Sequence, residues 1–146
     1  MVCADLMKQN VECIAPGEPV SAAARRMRER NVGFLPVCVG GGEPILGTMT
    51  DRDIALRVVA EGKSADTKVE DIMTREVVAC RPTDDIKRAE QLMGEHKKSR
   101  ILCLDDDDRL VGVISLSDIA QRDGARIAYT MQQVTQREVG GADAQR

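Results

Sequence analysis

Aromatic residues are almost missing from this chain of 146 residues: Phe34 and Tyr129 are its only rings, and tryptophan is absent. A core built without them has to be aliphatic, drawn from Val, Ile, Leu, Ala and the seven Met. The same scarcity removes the stacking platforms on which single-stranded nucleic acids bind. A basic excess is missing too, with 21 Lys and Arg against 24 Asp and Glu and a net charge of −3. Phosphate backbones are held largely by a basic face, so no nucleic-acid partner is expected. No apolar run approaches the roughly 18 residues that cross a bilayer. The opening MVCADLMKQN has neither the charged nor the apolar region of a signal peptide. The expectation is a cytoplasmic protein with no membrane insertion.

Catalytic and metal-binding patterns are equally sparse. His96 is the single histidine and follows a helix pattern, with no Ser or Cys nucleophile paired to it. No set of residues assembles a nucleophile, a base and an oxyanion donor, so no catalytic residue and no enzyme are expected. Gly40-Gly41-Gly42 lacks the Lys-Ser/Thr of a phosphate loop. The acidic run Asp105–Asp108 fails as an EF-hand, because Leu116 would fall at the twelfth position where a bidentate Glu is needed. Cys3, Cys13, Cys38, Cys80 and Cys103 are odd in number, scattered and never spaced C-x-x-C. They read as small buried hydrophobes rather than as metal ligands or disulfide partners.

What is present is a duplication. At a shift of 66, Asp5-Leu6-Met7 falls on Asp71-Ile72-Met73, Pro16 on Pro82, Val20 on Ile86, Ala23 on Ala89 and Met27 on Met93. At a shift of 65, Gly47 falls on Gly112, Thr50 on Ser115, Asp53 on Asp118, Ile54 on Ile119 and Ala55 on Ala120. Each copy reads strand, helix, strand, strand, helix. Val11, Cys13 and Ala15 alternate as a strand before Pro16-Gly17, and Val77–Cys80 does the same before Pro82. Helical spacing follows at Val20, Ala23, Ala24 and Met27, and at Ile86, Ala89, Leu92 and Met93. The pairs Phe34–Val39 with Ile45–Met49, and Ile101–Leu104 with Leu110–Ile114, are separated by short turn-forming stretches and predict hairpins. The closing helices begin at Thr50, ending near Glu61-Gly62, and at Ser115, with Ile119 to about Gln136 forming a longer last helix. The expected layout is a first repeat at 1–63, a second at 64–136 with its C-terminal helix, a polar linker at 63–68 and a flexible tail at 137–146.

GTMTDRDIA (47–55) and GVISLSDIA (112–120) share one physical logic. A Ser or Thr opening a helix with an acid three residues on forms a capping box, in which each side chain satisfies a free backbone N–H. The glycine permits close backbone approach in the strand before it. A helix start after a strand is also a seat for phosphate, and the carboxylate on its rim can accept hydrogen bonds from two ribose hydroxyls. Both readings fit the same residues.

The doubled order, the Asp-Leu/Ile-Met openings, the strand Leu35-Pro36-Val37 and the repeated Gly-x-x-Thr/Ser-x-x-Asp resemble a tandem pair of cystathionine-β-synthase (CBS) domains over about residues 4–125. TMTDRDI is similar to the bacterial stand-alone type. The resemblance implies an α+β fold of two β-α-β-β-α repeats about a pseudo-two-fold axis, with two clefts and a homodimer. It implies a sensor with no required cofactor that binds AMP, ADP, ATP, S-adenosylmethionine or NAD and signals to a separate effector protein. By position, Thr50 and Asp53 would hold ribose in one cleft, with Arg52 near phosphate and adenine against Ile14, Ala15 and Val32, Gly33, Phe34 and Leu35. Ser115 and Asp118 would do so in the other, with Cys80, Arg81, Ser99, Arg100 and Ile101. Arg52 beside Asp53 favours the first cleft, since Ser117 stands at the matching place in the second. The competing reading is a ligand-independent dimeric interaction protein, or a redox-responsive dimer formed through Cys3 or Cys38.

Overall fold

Pro19, with φ −71° and ψ 152°, turns the extended chain into α1 (Val20–Arg30), whose Val20, Ala23 and Met27 are buried at helical spacing. Asp85 does the corresponding work for α4 (Ile86–His96), its carboxylate accepting from the Lys87 N–H at 3.0 Å. Both helices stop on a left-handed residue, Asn31 at φ 55° and Lys97 at φ 54°. Asn tolerates that conformation better than an exposed Lys does. Replacing Lys97 by Gly is expected to raise stability by about 0.5–1 kcal/mol in chemical denaturation. An unchanged or lower midpoint would mean that Lys97 is held by contacts that offset its backbone cost.

A computed structural model describes residues 1–41, 44–122 and 128–136. Hairpin β1 (Phe34–Cys38) and β2 (Ile45–Thr50) is antiparallel, running from Phe34↔Thr50 to Cys38↔Ile45 with an irregularity at Val37/Cys38. A four-residue α2 (Asp51–Ile54) continues into a π-turn at Ala55–Val59, and Gly62 ends it at φ 68°. The polar stretch 63–68 is bound to α1, with Ala65 and Thr67 carbonyls accepting from Ser21 and Val20. After the short α3 (Val69–Ile72), the second sheet orders β3 (Ala79–Cys80), β4 (Arg100–Leu104) and β5 (Leu110–Ser115) side by side, with β3 parallel to β4. α5 (Leu116–Arg122) follows, and residues 128–136 are again helical. The tail expected at 137–146 lies outside the described residues, as does 123–127 of the expected final helix.

The first strand of each copy is shorter than the alternation predicts. Between Val11 and Ala15 only Ile14 bridges, to Val37, and in copy two only Ala79 and Cys80 pair. Pro16 and Pro82, each soon after, cut off further pairing by lacking an N–H.

Packing does not follow the duplication. Val11–Val77 with Asp108–Leu110 form one unit, and Met1–Asn10, Val78–Asp107 and the described residues from Val111 onward form the other. Thr74 exchanges two backbone hydrogen bonds with Thr48, both 2.9 Å, in the unit that holds Asp53. Lys8, sixty-six positions earlier, exchanges two with Val113, 2.9 and 3.0 Å, in the unit that holds Asp118. Each repeat's opening segment thus completes the other repeat's unit. The apolar residues explain why: Val69, Ile72 and Met73 are buried with Ile14, Leu35 and Met49, while Cys3, Leu6 and Met7 join Met93, Ile101 and Ile114. Each core is aliphatic, as the near absence of rings requires.

Candidate ligand sites

At the Asp53 site β2 ends and the capping box is complete. The Asp53 N–H donates to Thr50 Oγ1 at 3.1 Å, and the Thr50 N–H donates to Asp53 Oδ2 at 3.0 Å. The other carboxylate oxygen accepts from the Thr74 hydroxyl at 3.4 Å and lies 3.8 Å from Arg57 Nε. Arg57 is itself spread over the carbonyls of Ile72 and Met73, at 3.0 and 3.2 Å. Asp53 is therefore buried and fully engaged.

The structure brings only part of the expected first set together. Gly33 accepts from the Asp51 N–H at 3.0 Å and Phe34 pairs with Thr50, so both stand beside the helix start. Val32 is exposed next to them, Arg52 points to solvent, and Leu35 is packed into the core. Ile14 and Ala15 are elsewhere: Ile14 bridges Val37, three residues along β1 from Phe34, about 10 Å at the rise of a strand. They line a cavity of about 470 Å³ with Cys13, Glu18, Arg26 and Cys38.

The Asp118 site has the same start and a different carboxylate. Asp118 N–H donates to Ser115 Oγ at 3.1 Å, and Leu116 N–H donates to the Ser99 carbonyl at 2.8 Å, which places Ser99 beside it. Asp118 Oδ1 lies 3.7 Å from Lys8 Nζ. Asp118 Oδ2 is buried and has no hydrogen-bond partner among the described residues. Arg100 is exposed at the start of β4, and Ile101 is in the core. Cys80 and Arg81 sit toward the far end of β4, where Cys80 pairs with Cys103 and the Arg81 guanidinium donates to the carbonyls of Leu104 and Asp105. A second cavity, about 340 Å³, is lined by Leu6, Ile86 and Ile119. Neither cavity is lined by Asp53 or Asp118.

Thr74, Lys8 and Arg57 had not been singled out in the sequence. Two of the three have a sequence signal: Thr74 and Lys8 each follow the Met of an Asp-Leu/Ile-Met opening.

The cysteines need a correction. Cys13 and Cys38, expected as unpaired hydrophobes, form a disulfide with Cα atoms 5.9 Å apart. The Ile14↔Val37 bridge sets them side by side, each next to a bridging residue, although 25 residues separate them in sequence. The remaining three match the expectation: Cys3, Cys80 and Cys103 are free and buried. They form a chain of thiols in which the hydrogen bond to Cys80, then burial, pushes Cys3 well above the ordinary thiol range. Cys80 is pushed up to about 12, first by its bond with Cys103 and also by burial, although its bond with Cys3 acts the other way. Cys103 is lowered by the bond from Cys80, against its own burial. Among the described residues no group of three His, Cys, Asp or Glu side chains is placed to hold a metal ion.

Two α+β units, each with a hairpin that ends in a Thr/Ser-x-x-Asp helix start, define a duplicated β-α-β-β-α module. The chain belongs to the CBS domain family, whose sequence profile matches residues 3–60 and 69–124. It is 37% identical over 116 residues to the CBS domain-containing protein YhcV of Bacillus subtilis, covering 80% of this chain and 81% of that one. Its fold is similar to the crystal structure of Hypoxic Response Protein I with two coordinated zinc ions, with TM-score 0.74, 30% identity, and coverage of 83% and 98%. It is also similar to the CBS domain pair of protein MJ0100, solved with 5′-methylthioadenosine and S-adenosylmethionine. There the TM-score is 0.77 over 86% of this chain and 98% of that one, and at 24% identity the likeness is one of fold. Among the described residues no helix is long and apolar enough to cross a membrane.

Proposed function

We propose that the chain is a regulatory module that binds an adenosyl ligand, one of AMP, ADP, ATP, S-adenosylmethionine or NAD, and signals to a separate effector protein by a conformational or dimer change. The observation that carries this reading is Asp118 Oδ2, a buried carboxylate oxygen with no hydrogen-bond partner among the described residues, beside the Ser115 hydroxyl. An unmet buried acceptor costs about 1–3 kcal/mol, and a pair of ribose hydroxyls supplies the donors it lacks. Asp53 has the same position but its donors are already protein groups. Asp118 thus becomes the first site to test, in place of the Arg52-equipped Asp53 site that the sequence favours. The MJ0100 pair, a protein of the same fold, was solved with two adenosyl compounds, which supports the ligand class. A ligand shifts the protein between arrangements only by its differential affinity for them.

The same reading has a cytoplasmic homodimer, with no catalytic step and no required cofactor. Leu56 and Val59, three residues apart on the helix after Asp53 and 47% and 72% exposed, leave an apolar face in water that a second chain would cover. The alternative of a redox dimer through Cys3 or Cys38 lacks an exposed free thiol: Cys3 is free but fully buried, and Cys38 is bonded to Cys13.

Thermal shifts with AMP, ATP, NAD and S-adenosylmethionine on wild type, Asp118→Ala and Asp53→Ala test the proposal. At a hundred times its dissociation constant, a ligand should add about 2.7 kcal/mol of stability to wild type. The gain should disappear in Asp118→Ala. No shift with any ligand, or an undiminished one in both variants, would defeat the reading.

A further inference from the structure

The disulfide occupies a place that gives it a chemical role. Cys13 is half-buried and Cys38 is 3% exposed, and both line the 470 Å³ cavity, so solvent reaches the bond from the Cys13 side. The segment it anchors, Val11–Ala15, buries Ile14 in the core but has few backbone bonds to the sheet. Its backbone bonds to β1 are Ile14 N–H to the Pro36 carbonyl, 2.9 Å, and Cys38 N–H to the Ile14 carbonyl, 3.1 Å. Arg26 adds one bond to the Cys13 carbonyl at 3.1 Å and two to Glu18 at 3.0 and 2.9 Å, and Glu18 accepts from the Ala15 N–H at 3.1 Å. Beyond β1 the chain leaves through Gly40 and Gly41, both at positive φ. The covalent link is therefore the strongest tie between this cavity wall and the sheet.

The other unit shows what the same fold does without it. At the shift of 66 that superposes β1 on β4 and the Ile14–Val37 bridge on the Cys80–Cys103 pair, Ala79 takes the place of Cys13 and Leu104 that of Cys38. There β3 keeps its backbone pairing with β4, and Cys80 and Cys103 are unpaired thiols, 3% and 0% exposed. The fold does not need a disulfide at this position. The one that has it bears it on a cavity wall within reach of solvent.

We propose that Cys13–Cys38 is a reversible dithiol–disulfide site, opened by a small dithiol or a dithiol protein entering the cavity, and that its state sets the freedom of the Val11–Ala15 wall. A thiolate of the reductant attacks the Cys13 sulfur, forming a mixed disulfide and expelling Cys38 as thiolate. The second thiol of the reductant then releases Cys13 and closes the reductant's own disulfide. Two electrons pass from the reductant to the protein pair, and two protons end on Cys13 and Cys38. Oxidation by a disulfide of higher potential reverses the exchange. The site does not depend on the adenosyl reading, and its test uses no nucleotide.

The full-length oxidised chain is titrated with dithiothreitol, alkylated without denaturant and peptide-mapped, and amide hydrogen exchange is followed in parallel. Reduction should add about 2 Da, the two hydrogens of a dithiol. Label should appear at Cys13 and Cys38 before Cys3, Cys80 or Cys103. The Ile14 and Cys38 amides should exchange at least about tenfold faster after reduction and return to the slow rate on reoxidation. A Cys13→Ala/Cys38→Ala chain should exchange fast with or without the reductant. Labelling of all five cysteines together, or exchange at 11–15 unmoved by reduction, would overturn the proposal.

Discussion

Ile114→Ala should destabilise the chain by about 4 kcal/mol in chemical denaturation, while Ile114→Val should cost about 1 kcal/mol. Ile114 lies in β5 with no exposed surface, in a core with Met93, Ile101 and Ile119. Removing three carbons there deletes their transfer free energy and leaves a void whose lining keeps no partner on one side. The near absence of aromatics sharpens the expectation. A core of Ile, Val, Leu and Met interlocks through many small branched contacts, and β-branched neighbours such as Ile101 and Ile119 have few rotamers with which to refill a hole. Met93 is a flexible member of this core, and its unbranched chain sets how far collapse can proceed. A loss under about 1.5 kcal/mol for the Ala variant would mean that Met93 fills the space.

The elements were legible because their periods are strong. Val20, Ala23 and Met27, like Ile86, Ala89 and Met93, repeat at helical spacing and are buried as that spacing requires. Both hairpins sit where turn residues separate apolar runs. The repeated Thr/Ser-x-x-Asp told where two helices begin, and the Thr50 box is complete in the structure. The exchange of opening segments was not legible, since Asp-Leu-Met and Asp-Ile-Met reveal that two segments are alike and nothing about which unit each joins. The disulfide was hidden for a related reason. It depends on a parallel neighbour relation between Ile14 and Val37, and short parallel strands carry no turn that fixes register. The candidate ligand residues divide along the strands. Thr50, Asp53, Gly33 and Phe34 gather at one end of β1, while Ile14 and Ala15 stand at the other. Thr74 and Lys8, which only the packing brings there, each meet one oxygen of Asp53 and Asp118 respectively. The two sites differ at the other oxygen: Asp53 Oδ2 accepts from the Thr50 N–H, while Asp118 Oδ2 has no hydrogen-bond partner among the described residues.

Gly47→Ala carries the other large effect, and it follows from that exchange. A Cβ at Gly47 would run into the backbone carbonyl oxygen of Thr74 and lie 3.2 Å from the Met73 sulfur. A carbonyl cannot rotate away as a side chain can, so either β2 or the Met73–Thr74 segment has to move. Overpacking of this kind costs about 1–3 kcal/mol, and near backbone it falls at the upper end. Displacing the segment also weakens the two Thr48–Thr74 backbone hydrogen bonds, worth roughly 1 kcal/mol each. The expected total is about 3–5 kcal/mol, combining the overlap and the two bonds. Gly94→Ala is the control, because there the added carbon meets the movable amide end of Gln133 and should cost about 1 kcal/mol or less. If Gly47→Ala were as mild as Gly94→Ala, Thr74 would not lie against β2 as described. Gly112→Ala should fall between them, since its obstacle is Met7, whose Cγ and sulfur can swing while its Cβ cannot. The glycine that opens each copy of the repeated phrase is thus required by the partner repeat's opening segment, and the carboxylate six residues later meets that same segment through Thr74 or Lys8. A change at Gly47 should therefore also remove the Thr74 hydroxyl from Asp53, leaving its Oδ1 with the Arg57 guanidinium alone. In a thermal-shift series this predicts that Gly47→Ala alters any ligand response of the Asp53 site while the Asp118 response is unchanged.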